Sequence, residues 1–138
     1  MVCVRVCGDH RLINLYIVLP NDVIPNVIHE IEKTRSFPIF ADLDLTNAFH
    51  QIPIGPVTRE GLAIIAPMGL VQPRFLPEGV GPASGILQKV ASSIFRDFES
   101  WMVVIFDNLL VLAKDYQVLE NTVARLILWY VSRQTVMT

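Results

Sequence analysis

Residues 102–114 read M-V-V-I-F-D-N-L-L-V-L-A-K: two apolar runs, 102–106 and 109–113, joined by Asp107-Asn108. Short runs rich in Val, Ile and Phe predict strands. An Asp-Asn pair between them predicts a tight hairpin turn, since both residues tolerate positive φ. Such a hairpin carries one carboxylate, Asp107, at its tip beside the core. A second acid of the same kind lies far upstream in F-A-D-L-D-L-T-N-A-F-H-Q-I-P-I, residues 40–54, where Asp44 closes a strand-like run over 37–43. Two acidic strand ends brought together are what a two-metal phosphoryl-transfer site needs. Each acid also has a plainer use, as a turn residue or as the cap of the following element.

The remaining pattern builds outward from these two strands. Valines at 2, 4 and 6 alternate with Cys3, Arg5 and Cys7, which reads as a strand, and Arg5 there is suited to bidentate phosphate contacts. Residues 14–20 form a connector ending at Pro20. A helix capped by Asn21 or Asp22 runs to about Lys33, with Val23, Ile24, Val27, Ile28 and Ile31 as its apolar stripe and His29 on its surface. After Asp44 come a turn or short helix over 46–50 and strands over 51–54, 61–67 and 70–76. A polar stretch at 55–60 and a Met68-Gly69 turn interrupt them. The Gly/Pro loop of residues 77–82 precedes a helix over 83–98, with Ile86, Leu87, Val90, Ile94, Phe95 and Phe98 at helical spacing. A last amphipathic helix covers 116–130. The sum is an α+β chain: a hairpin-bearing antiparallel sheet with helices packed on one face.

Composition narrows the classes. The 138 residues suit one domain or part of a larger one, and 52% hydrophobic residues exceed what a small domain buries, which predicts apolar surface meant for neighbours. Net charge is −2, from 11 basic and 13 acidic residues, so the chain lacks the basic surplus of a stand-alone nucleic-acid binder. No apolar run reaches membrane-spanning length, and the N-terminus lacks the apolar core of a signal peptide. Cys3 and Cys7 have no companion Cys/His pair for zinc. The expectation is a cytoplasmic protein in a reducing compartment, without a membrane partner.

Several stretches come in a telling order: V-R-V-C-G-D-H-R-L-I-N, V-L-P, F-A-D-L-D-L-T-N-A-F-H-Q-I, F-L-P-E-G-V-G-P-A-S-G-I-L-Q and V-V-I-F-D-N-L-L-V-L-A. Over residues 5–128 the chain resembles the fingers and palm of a reverse transcriptase, close to the Ty3/gypsy kind of LTR retrotransposon. The resemblance implies a polymerase palm-type antiparallel sheet with a partial fingers subdomain. Fingers would cover 1–18 and 52–82, and palm 19–51 and 83–138, with thumb and RNase H absent. It implies an RNA-directed DNA polymerase that adds deoxynucleotides to a primer 3′-hydroxyl on an RNA or DNA template. Such a polymerase works inside a longer Pol polyprotein, in the cytoplasm or in virus-like particles.

Carried over residue by residue, Asp44 and Asp107 match the catalytic acids that hold two Mg²⁺ (or Mn²⁺) ions in such enzymes, and the Leu45 backbone completes the metal shell. Asn108 stands at the second acid of the Y-x-D-D hairpin. Phe49 matches the aromatic that leaves no room for a 2′-hydroxyl; without the motif it reads as a core aromatic. Asn47 and Ala48 match positions whose backbone N–H groups cradle the triphosphate. Arg5 matches a phosphate-facing arginine, Glu78 a residue near the nucleotide, and Gln88 a polar residue of the palm helix with an equally good structural role.

The departures are specific. Ile105 replaces the hairpin Tyr. Asn108 replaces the second Asp, keeping its shape but dropping a charge that metal affinity uses. Glu78 stands where related enzymes carry Gln or an aromatic, and an anion there repels a triphosphate. No fingers lysine precedes Arg5, and the likeness fades from Trp129 onward. The alternative expectation is therefore a catalytically dead palm remnant serving as a structural or interaction module. A parallel α/β phospho-acceptor domain is a third, disfavoured by the consecutive strands over 51–76.

Overall fold

The computed structural model describes residues 8–18 and 27–134. The chain divides into two compact units, one holding residues 1–24 and 46–90, the other 25–45 and 91–138.

The second unit is built on a three-stranded antiparallel sheet in the order β1 (Ile39–Asp44), β5 (Asn108–Ala113), β4 (Met102–Ile105). Directly paired residues share a face, so the register sorts the side chains. Ala41 and Leu43 of β1 sit opposite Val111 and Leu109 of β5, which sit opposite Met102 and Val104 of β4. All six join one core cluster. Helix α4 (Tyr116–Gln134) adds Leu119, Val123 and buried Leu126 to it. The cluster closes with aromatic rings: Trp129 lies 5.7 Å from Phe95 and meets Phe98 edge-on at 4.9 Å and 87°, with Trp101 5.0 Å from Phe98. Such pairs add about 0.5–1.5 kcal/mol each beyond their burial. Asp115 starts α4 by accepting the Val118 N–H at 2.8 Å. Helix α1 (Val27–Thr34) lies against β4.

The first unit is made of shorter pieces. A 3-10 turn, Ile13–Leu15, is followed in this unit by a second, Ala48–Gln51, then helix α2 (Pro56–Gly61) and the hairpin β2 (Ile64–Ala66)–β3 (Gly69–Val71). Its core is Leu62, Leu76, Val80 and Ala83, with Ile13, Ile17, Phe49, Ile52, Ile54 and Ile86 around them. Helix α3 (Ala83–Ile94) begins in this unit and ends in the other, where a 3-10 turn, Arg96–Phe98, follows it.

The α+β reading and the antiparallel sheet are borne out. Several local expectations are corrected. The hairpin turn is Phe106-Asp107, one residue earlier than expected, and Asn108 belongs to β5, paired with both Asp44 and Ile105. The core-face pairs set this register and override the local preference of Asp-Asn for a turn. Phe106 takes the positive φ instead, 56°. Positive φ at the first loop residue alone is the pattern of a type II′ turn, whose twist matches that of the strands.

Residues 51–54 are not a strand. Asn47 at φ 53° turns the chain into the 3-10 turn, and Gln51 Nε2 closes it by donating to the Thr46 carbonyl at 2.8 Å. Only a Pro53–Phe75 bridge remains of that strand. The polar stretch at 55–60, to which the sequence assigned no element, lies in helix α2 from Pro56 onward. Pro56 opens it with φ already suited to a first turn, and Arg59 Nε holds the entry by donating to the Ile54 carbonyl at 2.9 Å. The helix expected over 83–98 ends at Ile94, and the last helix extends to Gln134 rather than Tyr130. On α1, Ile28 and Ile31 of the expected buried stripe are exposed. The strand over 2–7 and the cap at Asn21 or Asp22 lie outside the described residues.

Candidate active site

Strand β1 alternates strictly: Ile39, Ala41 and Leu43 are partly buried, whereas Phe40, Asp42 and Asp44 are exposed. Asp44 therefore ends the strand on its outward face. Its partner across the ladder is Asn108, whose side chain shares that face by the pairing rule. One step further, the Leu45 N–H donates to the Asp107 carbonyl at 2.7 Å, so β1 is tied to the hairpin loop itself. Asp107 is half-buried, and its Oδ1 lies 3.5 Å from Asn108 Nδ2, too long for a strong hydrogen bond. Asp44, Asp107 and Asn108 thus occupy one end of one sheet, although Asp44 is far from the other two in the chain.

The chemistry of this end is that of hard oxygen donors. Two carboxylates, the Asn108 amide oxygen and the Leu45 carbonyl are suited to Mg²⁺ or Mn²⁺, but only two of the four carry charge. Among the described residues no group of three or more His, Cys, Asp or Glu side chains is placed to hold a metal ion. Alternation also puts Asp42 on the exposed face of Asp44, two residues earlier. The F-A-D-L-D spacing already carried that signal, and the sequence reading did not use it.

The other expected residues belong to the first unit. Asn47 is exposed in the left-handed region, Ala48 is buried, and half-buried Phe49 packs against the Leu62–Leu76–Val80–Ala83 core. That packing is the one expected of a core aromatic. Glu78 is exposed, between buried Leu76 and buried Val80. Gln88 is buried on α3. Arg5 lies outside the described residues. An open cavity of about 580 Å³ in this unit is lined by residues 61–65 and by Gly8, Asp9, His10 and Tyr16, and by none of the expected site residues.

One more residue was missed. Asn14, in the first 3-10 turn, donates from Nδ2 to the Gly79 carbonyl at 2.9 Å and accepts the Gly81 N–H on Oδ1 at 2.8 Å. Its partners lie 65 and 67 residues away, and no local pattern announces them.

No family model matches the chain. Over 110 residues, 80% of its length, the chain is 24% identical to a protein described as "Putative enzymatic polyprotein" from Cassava vein mosaic virus. The matched region spans 17% of that protein, so the likeness is to one segment of a much longer polyprotein. No helix among the described residues is long and apolar enough to cross a membrane.

Proposed function

We propose that this chain is the fingers-and-palm part of a reverse transcriptase from a retroelement polyprotein, of the Ty3/gypsy kind, with RNA-directed DNA polymerase chemistry. One observation carries the reading: the Asp44–Asn108 pair and the Leu45-to-Asp107 hydrogen bond bring two distant acids to one sheet end. Likeness to a segment of an enzymatic polyprotein supports it.

In this reading Asp44, Asp107 and the Leu45 carbonyl hold two Mg²⁺ ions. When bound, such ions polarise the primer hydroxyl and offset charge on the triphosphate and its leaving group. The rest is the work of the chain. By resemblance, Asn47 and Ala48 would offer backbone N–H groups to a triphosphate, and Arg5, outside the described residues, would pair with its oxygens. The Phe49 ring, stiffened by the core beneath it, excludes a 2′-hydroxyl. Primer–template is gripped with the help of other parts of the polyprotein, since a net charge of −2 gives little electrostatic hold.

A second reading, a catalytically dead palm remnant that packs or docks as a module, is favoured by Asn108. At the position paired with Asp44 it supplies a neutral amide in place of a carboxylate. Calorimetric titration with Mn²⁺ tests both. The polymerase reading expects Asp107→Ala to weaken binding by about tenfold or more, and Asn108→Asp to strengthen it, because affinity follows carboxylate count. Identical curves for wild type and Asp107→Ala would sink it and leave the remnant reading standing.

A further inference from the structure

The first unit carries a cavity that the polymerase reading leaves unused. It measures about 580 Å³, opens to solvent, and is walled by the stretch that begins at Gly8 and by residues 61–65, which lead into β2. Sites for small molecules span about 300–1,000 Å³. The buried part of the lining includes Leu62 and His10, and the exposed part includes Leu12, Tyr16 and Ile65.

His10 is the polar group in this cavity that the fold does not explain. It is 6% exposed, and neither ring nitrogen hydrogen-bonds to another described residue. Among the described residues every side-chain N or O sealed from solvent has a partner, so the unpaired imidazole nitrogens open onto the cavity. Gly8 lets the ring sit there: a Cβ at residue 8 would lie 2.8 Å from His10 Nε2 and 3.2 Å from Cε1, closer than a side chain tolerates. A ring so buried, with hydrogen-bonding capacity unspent, costs stability unless water or a ligand pairs with it.

Charge narrows the ligand. Among the described residues the lining has no Lys or Arg to draw in a phosphate or carboxylate. Its one carboxylate, Asp9, already accepts from Arg11 Nε and Nη2 at 2.9 and 2.7 Å, which leaves little for a cationic ligand. Apolar side chains such as Leu62, Ile64 and Ile65 make up most of the rest, and the rings of His10 and Tyr16 favour a flat aromatic body over a flexible aliphatic one.

We propose that this cavity binds a small uncharged aromatic molecule carrying one hydrogen-bonding group, and that His10 pairs with that group. Burial against the apolar walls supplies the affinity. The imidazole sets the orientation, because it stands unpaired at the buried end and can donate or accept. The inference does not rest on the polymerase reading, since it uses no residue of the Asp44–Asp107 sheet end.

The test is an NMR titration of the full chain with 4-methylphenol, followed through the Leu62 and Ile64 methyl signals and the His10 ring nitrogens. Saturable shifts at all three residues are expected, and their absence would overturn the proposal. His10→Phe keeps a ring and removes its nitrogens. It should weaken 4-methylphenol about three- to tenfold, the scale of one hydrogen bond, and leave toluene within about twofold. Equal losses for the two probes would overturn the proposal. The anion 4-methylbenzoate should bind about threefold more weakly than 4-methylphenol or worse, and equal or tighter binding overturns the choice of an uncharged ligand. Ile65→Asp, at an exposed side chain, puts a charge on the apolar rim and should weaken 4-methylphenol and toluene alike by about threefold or more. Unchanged affinity for both would mean that they bind elsewhere, and the proposal falls. Should His10→Phe fail to fold, the wild-type chain decides: 4-methylphenol must move the His10 nitrogens further than toluene does, and equal movement overturns the proposal.

Discussion

The two units of the chain hold their functional candidates in different ways. In the second, Asp44 stands where it does because six consecutive residue pairs tie β1 to β5, each confirming the next. In the first, the β2–β3 hairpin has three pairs, and Ile65, Met68 and Leu70 are 90%, 82% and 67% exposed. Order in the first unit comes from its own small core and from individual devices: a left-handed Asn47, a proline at the start of α2, the Asn14 amide on the loop of residues 76–81. A ladder distributes positional information over many residues, so an acid at its end tolerates change elsewhere. The loop of residues 76–81 rests on two buried side chains and a few hydrogen bonds, the Asn14 amide among them, so one substitution there weighs more than one in a ladder.

This contrast is broken or sharpened first by core truncation in the second unit. Phe95 is 4% exposed and touches Trp129, so Phe95→Ala removes both buried volume and an aromatic contact. A loss of about 3–5 kcal/mol is expected from urea unfolding followed by tryptophan fluorescence, whereas Ile65→Ser on the exposed hairpin should stay within about 0.5 kcal/mol. Comparable losses for both would mean that the exposed β2–β3 hairpin is held as tightly as the buried aromatic cluster.

The ladder was readable because short apolar runs at 37–43, 102–106 and 109–113 mark strands. The faces of β1 were not read, since Phe40 is as apolar as Ala41 and Leu43 and hides the alternation that Asp42 and Asp44 carry. Placement of the hairpin turn was not readable to within one residue. Asp-Asn is the better local turn, yet the pairing of Leu109 with Leu43 and Val104 decides the matter, and that is tertiary information. The misread 51–54 strand has the same origin, since apolar Ile52 and Ile54 face a core from irregular backbone as well as from a strand. Helix α2 could have been found from Pro56 after Gly55. The Asn14 clamp could not, because a hydrogen bond across 65 residues leaves no trace in either local sequence. Trp129, where family likeness fades, turns out to complete the aromatic cluster, so loss of resemblance did not mean loss of structure.

A smaller effect belongs to the end of the second unit's core helix. Asp115 accepts the Val118 N–H, one of the donors a helix start leaves unpaired. Asp115→Ala should cost about 1 kcal/mol in the same urea experiment, and Asp115→Asn less than half of that. If the alanine variant matches wild type, packing alone holds α4 in place, and the cap is incidental.

The smallest expected effect lies in the first unit, at the Asp9–Arg11 pair. Arg11 Nε and Nη2 donate to the two Asp9 carboxylate oxygens at 2.9 and 2.7 Å, and its backbone N–H adds a third bond at 3.1 Å. These hydrogen bonds favour the charged form and hold Asp9 at a pKa of about 2, below the ordinary carboxylate range. A carboxyl group whose pKa is lower folded than unfolded stabilises the fold fully above the unfolded value, and that stabilisation is lost as pH falls towards the folded one. The pH window is therefore between about 4 and about 2, and the direction is destabilisation on acidification. Both side chains are largely exposed, so water and salt screen the pair and its share of total stability is slight. Carbon-detected titration of the Asp9 carboxyl reads the effect directly. Arg11→Gln should return it to the ordinary range and leave the urea midpoint at pH 7 nearly unchanged, whereas an unaltered titration would mean that something other than Arg11 depresses it.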